Sequence, residues 1–254
     1  MRGKLPVLIL APLLLLGGRD AFFTNVFAGL APLEVPSSAE LQTLPLSDLE
    51  RLAEDPQFFE ELAGDSAKED AVLENLDDYF GPEGDGMVDT PEEQRATALY
   101  AEVLLRTSGA DRIVSGLAGY LASADGFDQF ESDPGSALAD LFGESLPTLE
   151  EIEAMVAALN SAWNAYAAIG AGLGSSPLDD SLNAGDLAFN AALAAALQGI
   201  SLPPATLDDY IYDVIYGNDL TGYGAVSVDS TVLTGPEMGN LLSAAGFDPA
   251  DLGL

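Results

Sequence analysis

From residue 113 to the C-terminus the chain contains no lysine and no arginine. No side-chain ion pair can therefore form within that half, whatever it folds into. Its stability has to come from apolar burial, backbone hydrogen bonds, helix caps or bound cations. All 8 basic residues precede that point and face 42 acidic ones, for a formal net charge of -34. Beyond the N-terminal leader the cations are Arg51, Lys68, Arg95, Arg106 and Arg112. A surface this negative repels nucleic-acid phosphates and anionic headgroups, so nucleic acid is excluded as a partner. It suits a saline environment or a cationic ligand.

Cysteine and histidine are both absent. That removes disulfides, thiolate nucleophiles, Cys/His zinc sites, histidine general bases and Ser-His-Asp triads. A bound metal would have to be a hard cation held by oxygen. An enzyme built from this chain would be a carboxylate-only hydrolase. Its material would be the pairs Asp77-Asp78, Asp179-Asp180 and Asp208-Asp209, and nothing in the sequence sets a separation between any two of them.

Arg2 and Lys4 precede an apolar run over residues 5–16, punctuated by Pro6 and Pro12 and followed by Gly17-Gly18. This is the layout of a secretory signal peptide, and the run is too short to span a bilayer. Cleavage is expected at 18/19, or at 28/29 after Val26-Phe27-Ala28. Leu16-Gly17-Gly18 resembles the residues before the lipidated cysteine of bacterial lipoproteins. Arg19 stands where that cysteine would be, so a lipid anchor is not expected. The chain reads as exported, periplasmic or extracellular, with no transmembrane span in the mature protein.

After residues 1–28, a flexible lead-in is expected over 29–45. A single helical domain follows over 46–254, with 201–254 as a C-terminal subdomain. The fold class is all-α, an antiparallel array of about eight to ten helices. Apolar residues at helical spacing mark a segment from Ser47 to Leu62, divided at Pro56, and another over 66–80. Thr90-Pro91-Glu92-Glu93 and Thr148-Leu149-Glu150-Glu151 are capping boxes that open two long helices. Helices are also expected over 111–122, in the second half of 127–142, over 183–200 and 206–216, and from Gly235 to Gly246. One hairpin is expected near 225–233, where Val226, Val228, Val232 and Leu233 flank Asp229-Ser230. Trp163 lies on the apolar stripe of its helix and reads as core.

Two constellations could carry chemistry. In residues 81–93, acidic residues and glycines meet a helix start. With Gly86 as turn glycine, the stretch resembles an EF-hand calcium loop. The resemblance implies Glu83, Asp85, Asp89 and Glu92 as side-chain ligands and Met87 as the carbonyl ligand, with Ca2+ as cofactor. The pattern departs at its first position, where Gly81 replaces aspartate. A turn followed by a helix cap explains much of the same stretch. The second constellation is Tyr210, Tyr212, Tyr216 and Tyr223 beside Asp209, Asp213, Asn218 and Asp219, a ligand surface for a cation or a sugar. Alternatively Tyr212 and Tyr216, four apart, pack on the core edge with their hydroxyls in water.

Tyr166-x-x-Ile169-Gly170-x-x-Leu173 resembles the first half of a tetratricopeptide repeat, with the helix after Asn183 as its partner. The resemblance implies a helical adaptor. The function expected is an exported, non-catalytic binding or scaffold protein of the bacterial cell envelope, acting on a protein or small-molecule partner through a groove between helices, and such an adaptor is one version of it. A calcium-stabilised protein and a carboxylate-only hydrolase are the alternatives.

Overall fold

The structure is a computed structural model that describes residues 34–79, 88–114, 142, 146–201, 206–220, 223, 227–228 and 231–248. The chain is all-α. Among the described residues the helices are α1 (Ser38–Leu41), α2 (Leu46–Ala53), α3 (Pro56–Gly64), α4 (Ser66–Asp77), α5 (Pro91–Thr107), α6 (Leu149–Gly172), α7 (Ala184–Gln198), α8 (Leu207–Ile215), α9 (Thr231–Thr234) and α10 (Pro236–Ala244). Residues 110–114 are helical as well. The signal peptide expected over 1–28 and the greater part of the helices expected over 111–122 and 127–142 lie outside the described residues.

Side-chain caps fix the helix starts, the two Thr-x-x-Glu boxes read from the sequence among them. Asp55 accepts from the Gln57 amide ahead of Pro56, and Asp65 accepts from Ala67 and Lys68. Both Thr-x-x-Glu boxes form: Thr90 with Glu93 opens α5, and Thr148 with Glu151 opens α6. Asn183 caps α7 through the amides of Gly185 and Asp186. Each such cap is worth about 1 kcal/mol, because it satisfies amides that an α-helix leaves open at its start.

The helices enclose two apolar cores, and α5 serves both. At 3.6 residues per turn, Ala96, Leu99 and Val103 fall on one face and Ala98, Ala101 and Leu105 on the opposite one. The first set packs with Leu41, Leu49, Phe58, Leu62, Val72 and Leu76; the second packs with Ile152, Leu159, Tyr166, Leu187 and Leu241. In the second core α6 is the hub, touching α5, α7, α8 and α10.

Two expectations are corrected. Residues 38–41, assigned to a flexible lead-in, are helical, and Leu41 is completely buried. The cause lies 34 residues away: the Asn75 amide donates to the carbonyls of Leu41 at 2.7 Å and Leu44 at 2.9 Å, holding α1 against α4. Among the described residues, the stretch 225–233 does not pair with itself as the expected hairpin would. Ser227–Val228 pairs antiparallel with Ile200–Ser201, and Val232 and Leu233 belong to α9. Two-residue strands are too short to be stable alone, so this bridge depends on the helices around it. Asp229 and Ser230 lie outside the described residues.

Candidate functional site

The outer face of α6 floors an open groove of about 460 Å³. Ala167, Ala168 and Ala171 share one face of the helix with Asn164, and their methyl groups leave space that larger side chains would fill. Gln198 at the end of α7, Thr231 at the start of α9 and Glu237 in the first turn of α10 supply the polar wall. Trp163, the sole tryptophan of the chain, closes one edge and is itself 8% exposed. The expectation of a core residue therefore holds for Trp163, which also borders the groove.

Gly170 is the reason α10 lies so close. A Cβ at that position would collide with the backbone carbonyl of Glu237. The Asn240 amide donates to the Gly170 carbonyl at 2.8 Å and locks the crossing. Glu237 is thereby held beside the alanine floor, at a helix N-terminus whose dipole favours its charge. The volume falls within the roughly 300–1,000 Å³ typical of small-molecule sites. Its described lining includes one carboxylate, where paired acid–base hydrolysis uses two.

A buried polar chain crosses the second core beneath this face. Glu102 on α5 pairs with Arg106 at 2.7 Å through one oxygen, while the other, Oε2, is buried without a hydrogen-bond partner. Burial pushes its carboxyl up to about 7, partly offset by Arg106. The Arg106 guanidinium also stacks 4.4 Å from the centre of the Phe59 ring, tying the chain to the first core. Tyr166 on α6 is 2% exposed; burial and the Glu102 charge push its hydroxyl up, and Asn190 on α7 hydrogen-bonds it. A glutamate between Ala101 and Val103 was the only trace of this in the sequence.

A second polar cluster clasps the 173–183 loop to α5. Gln94 is fully buried, donates to the Pro177 carbonyl at 3.1 Å and accepts from the Asp179 amide at 2.8 Å. Arg95 bridges Glu50 at 2.9 Å and Asp179 at 2.8 Å. Asp179 is held below its ordinary range by Ser181, against partial desolvation, with Arg95 adding to the effect. This pair carries a cation from the first half into the acid-only half. It also engages Asp179 structurally, away from the hydrolytic pairing considered above.

The four tyrosines separate into two pairs. Tyr210 and Tyr223 meet edge to face at 5.2 Å, and Tyr212 and Tyr216 tilt together at 4.5 Å. Tyr216 donates to the Pro147 carbonyl at 3.3 Å, so its hydroxyl is not simply left in water. Tyr223 donates to Asp213 at 2.5 Å, and Asn218 donates to the same carboxylate at 2.8 Å. These bonds hold Asp213 below its usual range, while desolvation and Asp213 push the Tyr223 hydroxyl up to about 12. Through Asp213, Tyr223 and Asn218 are tied to α8.

Of the calcium-loop residues, Glu83, Asp85 and Met87 lie outside the described residues. Asp89 and Glu92 are exposed. The Glu93 carboxylate accepts from the amides of Asp89 at 3.2 Å and Thr90 at 2.9 Å, which commits it to the cap. Val88 is buried, its amide donating to the Ala168 carbonyl at 3.4 Å, and its own carbonyl occupies the space a Cβ on Gly172 would need. The end of the loop is thus docked on α6. Among the described residues no three Asp, Glu, His or Cys side chains gather as a metal would require.

Among the described residues no helix is long and apolar enough to cross a membrane. No protein-family model, no curated protein and no solved structure matches the chain, so the groove and its lining stand on their own geometry.

Proposed function

We propose that this is an exported, non-catalytic binding or scaffold module of the cell envelope that engages its partner through the groove on α6. The observation that supports this most is the floor of Ala167, Ala168 and Ala171 beside the amides of Asn164 and Gln198 and the Glu237 carboxylate. Recessed apolar surface with a few fixed polar groups is the usual makeup of a binding site. Export rests on the basic, then apolar, then Gly-Gly order of residues 1–18. A tetratricopeptide-like adaptor is one version of the proposal, with α6 and α7 as its helix pair.

Co-purification of the mature chain from its native envelope fraction tests the reading, with Ala167→Phe as the comparison. Filling the groove is expected to abolish capture of the partner while the helical circular dichroism is retained. Equal capture by both proteins would remove the groove from the function, and recovery of the native protein in the cytoplasm would remove export. Calcium enters no step of this reading. Titration with millimolar Ca2+ in a thermal-shift assay, with Asp85→Ala alongside, tests the loop over 81–92 directly.

A further inference from the structure

The described lining of the groove carries one negative charge and no positive one. Among the described residues that line it, Glu237 is the only ionisable side chain. The half of the chain that builds the groove contains no lysine or arginine to neutralise it. The same lining includes Asn164 and Gln198, whose amide oxygens can accept hydrogen bonds, and Trp163, an aromatic ring of the kind whose π face attracts cations. Below them is a purely alanine floor.

We propose that the groove takes a small primary aliphatic amine in its ammonium form. The ammonium has three donors and one positive charge, which match one carboxylate and two amide oxygens. Its alkyl stem covers the alanine methyl groups. An anion is rejected by Glu237 and by the surrounding acidic surface, and a neutral alcohol of equal size forgoes the charge-assisted bond. The assignment rests on the groove being the binding face and adds the class of ligand.

Trp163 makes the test direct, because it is the only tryptophan in the protein and lies at the groove. Its emission is followed while n-butylamine is added near pH 7 in about 0.5 M NaCl, a concentration that screens diffuse attraction to the acidic surface. Saturable change is expected with n-butylamine and none with n-butanol. Glu237→Gln is expected to weaken binding at least about ten-fold, and Glu153→Gln, at an exposed position elsewhere on α6, to leave it unchanged. Circular dichroism melts confirm that each variant is folded. An unsaturable response, one equal in Glu237→Gln, or one shared by n-butanol would overturn the proposal. Loss of partner capture in Ala167→Phe without amine binding would overturn the ligand class alone and leave the groove as the binding face.

Discussion

The two cores of this protein are held together differently. The first, around Leu41, Phe58, Phe59 and Leu62, is filled by large side chains. It lies in the half of the chain that holds every cation, and its helices carry the Arg51–Asp48 and Lys68–Glu61 pairs. The second is rich in alanine, with Ala188, Ala191, Ala192, Ala194 and Ala195 buried on α7 alone. It is built by close approach of backbones, at Gly170 against Glu237 and Gly172 against Val88. An acid-only segment cannot use internal ion pairs, so packing distance takes over the role that charge shares in the first half. Small side chains also leave the space from which the groove is formed.

Substitutions of opposite kind should therefore damage the two cores. Phe58→Ala removes a fully buried ring and is expected to destabilise by about 4 kcal/mol in a denaturant melt. Gly172→Ala adds a single methyl group, yet is expected to cost about 3 kcal/mol, because its new atom meets the Val88 carbonyl. A neutral Gly172→Ala would break the contrast, since backbone closeness would then not be what holds the second core.

Glu102 sharpens it on the electrostatic side. Its carboxyl is raised from 4.5 to about 7 in the folded protein. A group raised in this way contributes stability that is fully present below the unfolded value and is lost as pH rises through about 7. Glu102→Gln is expected to match the parent near pH 4.5 and to exceed it by about 2 kcal/mol near pH 8, in melts taken across that range. A parallel pH dependence in both proteins would place the titration elsewhere. Arg95→Ala is expected to have the smallest effect, about 1 kcal/mol, with faster proteolytic nicking in the 173–183 loop that it clasps through Asp179. If that loop is equally resistant in the variant, the buried Gln94 holds it alone.

The legible features were those with local causes. Thr90, Pro91 and Glu93 determine where α5 begins because a capping box is satisfied within one turn of helix. Thr148 with Glu151 acts at the same short range at the start of α6. Leu99 and Val103 recur at helical spacing and pack in the first core, but that spacing does not reveal that Ala98, Ala101 and Leu105 on the other side of α5 serve a second one. Val228 signalled strand, yet its partner at Ile200 is 28 positions away and no local rule could find it. The Asn75 amide that orders α1 acts at similar range.

The candidate site divides along the same line. The absence of lysine and arginine after Arg112 determined from sequence alone that any charge in the second half would be negative and unneutralised from within. Only tertiary structure decided which carboxylate would face a recess. Glu237 does so because Gly170, 67 positions earlier, lets α10 approach α6 without a Cβ between them. Composition specifies the sign of a field wherever the chain goes, whereas a groove exists only where two distant backbones come close enough to form its walls.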